Sequence, residues 1–522
     1  MKKKTIISLL AGFSMLFSMP SCMDLDETVY DKLPADKFGN TQVEINALMG
    51  TVYNTLKTYF GGDFSALDDM SGSMSIKPTR KGGDWYDGGQ YREIYMHTYT
   101  AQTNVVKGGW RTASTAIGTC NATLEVIKNS ELLTDDAKNG LMAEIRGVRA
   151  FWIYKMVDLW GNIPLVLDYN DKELPSCKPR QEVYDWVVKE VEEIAEQCPE
   201  RSEDTYGKFT KGAAYSLLAK LYLNAEAWGV TTSANAYKKV IESCDKVMAM
   251  GYILEPNFKD NFSITNQNSR EAILAAIYDE SDTKNQNQLH FNTLHYKDNE
   301  VFGANFGAWN GMSAQPDYAK LFPEDDPRRE ASFLMGLQRS LATGEILITA
   351  HGFELDHTIE MTILPGTELD GTPWGAVNQH DGYRALKWPY TSSLVDAMGN
   401  DYHIFRYADI YLMKAEALLR SGGSVAEATT LVNAVRERAY GNSDHNYATV
   451  TLKEVQLERR LEFAWELTSR QDDIRFGCFD KGMWTSSKCE RKSDEYLKLF
   501  PVSQDAWQTN DKLTQNPGYP SF

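Results

Sequence analysis

The chain has 522 residues, of which 42% are hydrophobic and 24% are charged, so it is long enough to bury an extensive core. Its 54 Lys and Arg residues against 72 Asp and Glu residues give a net charge of −18, which argues against nucleic acid or an anionic bilayer surface as the main ligand. Beyond the apolar run near the N-terminus, no apolar stretch approaches the roughly 18 residues that a membrane-spanning helix requires.

The first 21 residues have the pattern of a secretion signal, which we expect to be removed. Three lysines at positions 2–4 precede a short apolar run over residues 5–19, and Cys22 follows directly after Ser21. This arrangement is similar to a bacterial lipoprotein signal, in which cleavage leaves Cys22 as an acylated N-terminus. The alternative is an ordinary secretory peptide with an incidental cysteine. The acidic residues at positions 24, 26 and 27 resemble the surface-export tether of Bacteroides-type lipoproteins.

After a polar tether to about residue 40, the pattern changes from helical to irregular. Apolar residues at helical spacing predict a first helix over residues 43–59, which a Gly-Gly pair ends. Residues 63–102 are glycine-rich, aperiodic and aromatic, so they predict a loop on the rigid scaffold, and such loops often carry function. Helical spacing returns over residues 110–130, and Thr134 is a candidate N-cap for the next helix.

Residues 144–164, EIRGVRAFWIYKMVDLWGNIP, predict the helix that organises the chain. Gly161 stands where a left-handed C-terminal cap belongs, and Pro164 prevents the helix from resuming. Its apolar face is so wide that it needs neighbours on more than one side. Arg146, Arg149 and Asp158 lie close to that face, and we interpret these charges as pairs that join helix to helix.

Further helices are predicted on both sides of a long irregular region. Their patterns cover residues 181–197, 211–227, 234–250, 405–421, 425–439 and 451–468. The pair within 211–250 and the pair within 405–439 combine small and large residues in the manner of tetratricopeptide repeats. We therefore predict a mainly α fold, in which a tetratricopeptide-like helical scaffold carries a long irregular ligand-binding insertion.

The irregular region, residues 255–402, is rich in Asn, Gln, Gly and aromatic residues, and only 272–277 and 313–322 look regular. So long a stretch inside one domain indicates a functional insertion. We predict a second lobe packed on the scaffold and contiguous in space with loop 63–102. The predicted regions are a signal peptide (1–21), an N-terminal region (22–260), the insertion (261–402) and a C-terminal region (403–522), whose end from residue 472 looks irregular and polar.

The sequence offers no catalytic or metal-binding pattern. Seven cysteines lack C-x-x-C spacing, which argues against zinc, and apart from Cys22 they could form disulfides or remain as buried thiols. Zinc-protease, nucleophile-elbow, Walker and dinucleotide motifs are absent, and the eight histidines are scattered. Asp68 and Asp69 are adjacent, whereas catalytic carboxylates of glycosidases face each other, so we expect both to be solvated. We expect a binding protein without enzymatic activity, cofactor or metal.

Four segments together resemble the SusD/RagB family of outer-membrane nutrient-binding lipoproteins. They are the lipoprotein cysteine with residues 144–164, FRYADIYLMKAEALLRSGG at 405–423, ERRLEFAWELTSRQDDIRFG at 458–477 and LFPVSQDAWQTNDKLTQNPGY at 499–519. They occur in the family's order along the whole chain. The resemblance implies a tetratricopeptide scaffold with a loop-built glycan or peptide site, a lipid anchor in the outer membrane, and a surface-facing, lid-like position over a SusC-like TonB-dependent transporter.

The tryptophans divide into core and candidate ligand contacts. Five lie in helical periods and are predicted to be core, namely Trp110, Trp152, Trp160, Trp228 and Trp465. Trp85 and Trp309 lie among glycines in the irregular regions, where exposed rings could stack on the apolar face of a sugar. The resemblance implies an aromatic arc at Trp85, near 285–291 and at Trp309, with Asp68 at a polar position.

The middle position of that arc departs from the family, because the family's tyrosine has no clear counterpart and Phe291 is the nearest aromatic residue. This departure suggests a ligand other than starch.

Two function classes stay open at this stage. The first is a lipoprotein that binds an oligosaccharide or polysaccharide and delivers it to the transporter. The second is a peptide-binding, RagB-like lipoprotein or a repeat scaffold that binds only protein. The Trp- and Gly-rich insertion favours the first, since a bare scaffold would need only its concave helices.

Overall fold

Helices supply most of the regular structure in the computed structural model, which describes residues 39–232, 235–282, 284–368, 374–484, 491 and 493–522. In chain order the helices are α1 (Gln42–Lys57), α2 (Gln90–Met96), α3 (Asn104–Asn129), α4 (Asp135–Leu159), α5 (Arg180–Ile194), α6 (Lys211–Asn224), α7 (Ala236–Met248), α8 (Leu289–Thr293), α9 (Asp298–Phe302), α10 (Pro316–Ala319), α11 (Pro327–Ser332), α12 (Tyr407–Arg420), α13 (Val425–Tyr440), α14 (Leu452–Glu462), α15 (Ser469–Arg475) and α16 (Gln504–Thr509). The mainly α fold class is confirmed.

The strands are short and form antiparallel pairs. In chain order they are β1 (Ser75–Ile76), β2 (Ile163–Pro164), β3 (Cys177–Lys178), β4 (Ala272–Ala276), β5 (Ser313–Ala314), β6 (Phe333–Leu334), β7 (Gly336–Leu337), β8 (Asp356–His357), β9 (Arg384–Ala385) and β10 (Tyr402–Arg406). The pairs are β1–β5, β2–β3, β4–β10, β6–β9 and β7–β8. Pair β1–β5 joins the early loop to the insertion, with Ser75 opposite Ala314. Pair β4–β10 closes the insertion at its base.

Helix α4 occupies the central position that its wide apolar face requires. Thr134 caps it by accepting a hydrogen bond from the backbone amide of Ala137, and Gly161 follows its end with a φ of +69°. A side chain at Gly147 would meet the ring of Phe209 at 2.1 Å, so this glycine permits close packing. The five tryptophans predicted to be core are all buried.

The charges beside that face join helix to helix, as the sequence predicts. Arg146 and Arg149 of α4 both pair with Glu190 of α5, at 2.6 and 2.8 Å. Asp158 lies 3.4 Å from Lys155 and accepts a hydrogen bond from the indole of Trp228. These buried charges are structural, because each has a partner on a neighbouring turn or helix.

The predicted helices are present, with displaced ends where local pairing intervenes. The helix expected over 405–421 begins at Tyr407, because residues 402–406 pair with β4. The helix expected over 451–468 ends at Glu462, and α15 follows it. Helix α12 packs on α7, α13 and α14, so the two predicted repeat pairs form one helical stack.

The irregular regions contain more structure than their sequence indicates. Loop 63–102 holds a buried π-helical turn, Ser65–Met70, as well as β1 and α2. In the insertion, Leu274 and Trp388 belong to the same hydrophobic core as Trp152 of α4. The insertion therefore continues the core of the scaffold, while the boundaries at 260 and 402 stay predictions. The C-terminal end is also partly core, since Phe500 and Val502 are buried.

Five cysteines are described, and none forms a disulfide: Cys120, Cys177, Cys198, Cys244 and Cys478. Three of them are buried thiols, at 120, 198 and 244. Cys22 and the signal segment 1–21 lie outside the described residues. Within the described ranges, no helix is both long and apolar enough to cross a bilayer.

A buried network of ion pairs connects the insertion to the C-terminal helices. Glu462 of α14 contacts Arg328 of α11 at 3.1 Å, Arg406 at 2.7 Å and Arg438 of α13. Glu271, at the start of the insertion, also pairs with Arg406 and Arg438, at 2.5 and 2.6 Å. Burial opposes ionisation of Glu462, but the three guanidinium groups outweigh it and hold the pKa of Glu462 below its usual value.

We predict that Glu462→Gln lowers the free energy of unfolding by about 3 kcal/mol or more, because it leaves buried guanidinium groups without their shared carboxylate. Urea denaturation would measure the loss. The matched control is Glu200→Gln, which removes an exposed carboxylate 2.6 Å from Lys211 and should cost about 1 kcal/mol or less. Equal losses in the two variants would contradict a special role for the buried network.

Candidate functional site

Three aromatic side chains from distant parts of the chain meet at the surface. The rings of Trp309 and Phe291 stack with centroids 5.0 Å apart and planes 19° apart. The ring of Trp85 lies 6.4 Å from that of Trp309, with a 49° angle between the planes. Trp309 is 42% exposed, and the other two rings are half-buried. We call these three residues the aromatic cluster.

Hydrogen bonds along the backbone fix the rings of the cluster. The indole Nε1 of Trp85 donates to the carbonyl oxygen of Trp309 at 2.6 Å, and the amide of Trp309 donates to the carbonyl of Phe291 at 2.7 Å. The structure thus brings together the three aromatic residues that the sequence singles out. Whether they contact a ligand stays a prediction at this point.

The backbone at the cluster adopts conformations that side-chain-bearing residues seldom use. Trp85 has a φ of +63° and Asn310, next to Trp309, has a φ of +57°. Such left-handed conformations cost energy in residues other than glycine, and they persist where surrounding contacts hold them. Trp85 belongs to the cluster and Asn310 adjoins it. The positions of the rings therefore depend on the contacts that hold these two residues in place.

Arg80 supplies most of those contacts. Its buried guanidinium donates to the carbonyls of Asn310 at 3.0 Å, Gly311 at 2.9 Å and Asp381 at 2.8 Å, and to Oγ of Ser313 at 2.7 Å. It therefore ties loop 80–85 to the Trp309 loop. Burial, more than any charge, lowers the pKa of Arg80 well below its usual value.

Arg384 makes a second anchor beside Arg80. It donates to Oδ1 of Asn310 and to Oγ of Ser313, each at 2.8 Å. Sequence reasoning missed both arginines, because a single arginine in an aperiodic stretch carries no signal of its contacts.

Polar groups border the cluster on the side of loop 80–85. The hydroxyl of Tyr296 donates to the carboxylate of Asp84, which lies next to Trp85 and is exposed. Burial together with the Asp84 hydrogen bond raises the pKa of Tyr296, so the phenol stays a donor at neutral pH. Neither residue stands out in the sequence. Their positions in the chain, with Asp84 next to Trp85 and Tyr296 on the turn that follows Phe291, are the only signal that could have identified them.

Asp68 is not part of this surface, and its assignment as a ligand contact is wrong. It is 1% exposed, its Oδ1 lies 2.9 Å from Nζ of Lys155, and its Oδ2 accepts from the hydroxyl of Tyr59 at 3.1 Å. Asp69 is also buried, so the expectation of two solvated acids is wrong as well. Both lie on the π-helical turn that packs into the core.

The described part of the chain contains no side-chain cluster that could bind a metal ion. No group of three or more His, Cys, Asp or Glu side chains there is arranged to hold a metal ion. His357 and Asp298 are within 3.0 Å of each other but are fully buried, so they form a core pair. Asp69 is a core group as well. Burial raises the pKa of Asp69 to about 7, with the Asp68 charge as a second cause.

Concavities also lie elsewhere on the surface. One of about 680 Å³ is bordered by α1, Tyr206 and Ile277, and one of about 540 Å³ is bordered by Arg201, Tyr252 and residues 267–270. Neither includes a residue of the aromatic cluster. We favour the cluster as the functional site because it combines apolar ring faces with hydrogen-bonding groups at its edge.

We predict that Gly311→Ala displaces Trp85, because the new Cβ would come within 2.7 Å of the indole and 2.6 Å of the carbonyl oxygen of Asn292. Quenching of tryptophan fluorescence by acrylamide should increase as the ring moves outward. Gly307→Ala, on the same loop, meets no atom within 4 Å and serves as the control. Identical quenching in the two variants would contradict a tight seat for Trp85.

Comparisons with known proteins agree on one family. Residues 270–519 match the model of the SusD family, and residues 25–223 match a model described as starch-binding and associating with the outer membrane. The starch-binding protein SusD of Bacteroides thetaiotaomicron is 29% identical over an alignment of 432 positions that covers 75% of each chain. A SusD-like protein of Bacteroides ovatus is 24% identical over 488 residues, 91% of this chain and 82% of that protein.

Solved structures share the fold. A laminarin-binding SusD-like protein has a TM-score of 0.72 at 22% identity, covering 92% of this chain and 100% of that chain. The surface glycan-binding protein A from Bacteroides thetaiotaomicron, solved with laminarihexaose, has a TM-score of 0.72 at 17% identity, covering 91% and 100%. With two family models matched in succession along its length, the chain belongs to the SusD/RagB family.

Proposed function

We propose that this protein is a cell-surface glycan-binding lipoprotein, which captures an oligosaccharide or polysaccharide and delivers it to a SusC-like TonB-dependent transporter. The observation that carries the proposal is the aromatic cluster, in which an exposed Trp309 lies beside Trp85 with a carboxylate and a phenol at the border. Relatives named as starch-binding and laminarin-binding support it.

The chemistry of the cluster suits a sugar. The apolar face of a sugar ring packs on an aromatic face, while its hydroxyl groups require hydrogen-bonding partners when they leave water. Asp84 can accept such hydrogen bonds at the edge of the cluster, where its carboxylate is exposed. The same arrangement supplies no nucleophile or facing pair of acids, so capture without turnover is part of the proposal.

The angle between the indoles bears on the shape of the ligand. Because the planes of Trp85 and Trp309 differ by 49°, a flat, ribbon-like chain cannot lie against both rings at once. A chain that bends from one unit to the next can. We therefore expect laminarihexaose and maltohexaose to bind more tightly than cellohexaose, whose chain is extended and flat.

We predict that Trp309→Ala and Trp85→Ala each weaken glycan binding about tenfold or more, and that each lowers the melting temperature much less than Trp152→Ala does. Aromatic contacts contribute about 0.5–1.5 kcal/mol beyond their buried area, and each indole provides one of few such contacts. Titration calorimetry with the three hexasaccharides measures the affinity, and recovery of intact sugar tests for turnover.

Trp152→Ala in α4 is the control for that experiment and should behave in the opposite way, losing about 3–5 kcal/mol of folding stability. Retained affinity in both cluster variants would place the site elsewhere. Binding of peptides in place of every glycan tested would favour the peptide-binding alternative.

Lipid anchoring through Cys22 completes the proposal. The basic segment, the short apolar run and the Ser-Cys junction support it, and one matched family model is described as associating with the outer membrane. Anchoring by more than one acyl chain is durable, since each buried methylene contributes about 0.8 kcal/mol. The surface-facing position is inferred from the acidic residues after Cys22.

We predict that Cys22→Ala leaves the protein folded and releases it from the outer membrane fraction. Fractionation with a high-salt wash, followed by a melting curve on the released protein, measures both effects. A variant that stays with the membrane after the wash would rule out lipid anchoring through this cysteine.

A further inference from the structure

Beneath Trp85 lies a buried lysine that the glycan-binding proposal does not use. Lys77 follows β1 and is 8% exposed. Its Nζ lies 4.4 Å from the ring centroid of Trp85 and 4.8 Å from that of Tyr91. The two rings contact each other edge to face, with centroids 5.7 Å apart. The ammonium group therefore faces two aromatic rings at once.

The polar partners of Lys77 differ from those of the other buried lysines. Its hydrogen bond goes to Oδ1 of Asn292 at 3.0 Å, and among the described residues no carboxylate lies within 4.0 Å of its Nζ. Each of the other buried lysines described has a carboxylate partner: Lys155 with Asp68, Lys220 with Asp409, Lys387 with Glu466 and Lys414 with Asp245.

A buried ammonium without a carboxylate is costly unless something else stabilises it, and the faces of aromatic rings do so. Asn292 also connects the lysine to the cluster, because its carbonyl accepts from the amide of Met312 and adjoins Gly311. Lys77 thus fills the space between the early loop and the Trp309 loop, directly behind one face of Trp85.

We propose that Lys77 is a positioning residue for glycan capture: its ammonium group holds one face of Trp85 and leaves the opposite face for the sugar. The inference rests on the proposed function of the cluster. Phe291 has the same relation to Trp309, since it stacks on one face of that indole. Each tryptophan is thereby backed on one side, and glycan binds from the other.

The position of Lys77 makes capture depend on pH. Burial lowers the pKa of Lys77 to about 8, although the charges of Asp63 and Asp87 oppose the shift. Burial also raises the pKa of Asp63 to about 6 and that of Tyr91 to about 12, so these two neighbours keep one charge state while the lysine titrates. Above pH 8 the ammonium is lost, and with it the attraction to the ring of Trp85.

As pH rises, folding stability and glycan affinity should then change in opposite directions. The folded-state pKa lies below the usual 10.5, so between about pH 8 and 10.5 the unfolded chain binds more protons than the folded one at this site. Rising pH therefore adds to stability through Lys77 while it weakens glycan binding. A lysine with a purely structural role would not make glycan affinity fall while stability rises.

The experiment compares Lys77→Met with Lys77→Arg in the full-length protein, purified in detergent. Laminarihexaose and maltohexaose, which are uncharged, are titrated at about pH 7 and about pH 9.5. Wild-type affinity should fall about fivefold at the higher pH. Lys77→Met should already be about fivefold weaker at the lower pH and show no further fall. Lys77→Arg keeps its positive charge at both pH values. At each of them it should bind the sugars with the affinity that the wild type shows at the lower pH.

The matched control is Lys246→Met, because Lys246 lies over the ring of Tyr215 at 4.2 Å on a surface of α6 and α7 that contains no residue of the cluster. The affinity of Lys246→Met for both sugars should equal that of the wild type at each pH. If Lys77→Met binds sugar as the wild type does, or keeps the pH dependence, the positioning role is overturned.

A readout without ligand separates this inference from the proposed function. In protein labelled with 5-fluorotryptophan, the ¹⁹F signal of Trp85 is assigned by its loss in Trp85→Phe. We expect that signal to shift between the two pH values in the wild type and not in Lys77→Met. If the wild type binds no sugar but the signal shifts, the proposed function fails while Lys77 still positions the ring; an unshifted signal overturns the role of Lys77.

Discussion

The shared carboxylate of Glu462 is the contact on which the arrangement of this protein depends. It faces three arginines that come from the insertion, from β10 and from α13, so one charge joins segments far apart in the sequence. Buried charges tolerate no loss of a partner, because each ion left alone has given up its hydration. The insertion is consequently fixed against the repeat helices by electrostatics as well as by apolar packing. The irregular segment, of well over a hundred residues, therefore shares one hydrophobic core with the helices of the scaffold.

The aromatic cluster uses the same principle on a smaller scale. Arg80 and Arg384 are buried near its base, and each donates to groups of the Trp309 loop. Those hydrogen bonds offset the cost of the left-handed conformation at Asn310, and the indole hydrogen bond to the carbonyl of Trp309 does so at Trp85. The rings are therefore held in place before any ligand arrives, which reduces the entropy lost on binding. Arginine suits this position because its five donors can engage several carbonyls at once, whereas an apolar core residue would leave those carbonyls unpaired.

The sequence predicted the helices and most of the cluster, but not what supports them. Helical periodicity identified α4 and the repeat pairs, since apolar spacing follows directly from the helix repeat. Trp85 and Trp309 were separable from core tryptophans because glycines surround them. Asp68 was misplaced because a six-residue π-helical turn is too short to show a period, so its burial against Lys155 had no sequence signal. Arg80, Lys77 and Tyr296 were missed for a related reason: the side-chain hydrogen-bond partners that place them lie more than two hundred residues away in the chain.

The backing of both indoles sets a limit on how tightly a glycan could be held. Phe291 covers one face of Trp309, and Lys77 lies over one face of Trp85, so on the proposed function each ring has at most one face left for a sugar. Two such contacts contribute about 1–3 kcal/mol beyond their buried area, so most of the roughly 12 kcal/mol of a nanomolar complex would have to come from other contacts. On the proposed function this weakness is an advantage, because a protein that hands its ligand to a transporter must release it. Rigid support of the rings then serves selectivity as well as affinity, since a fixed angle of 49° between the indoles discriminates by the shape of the chain.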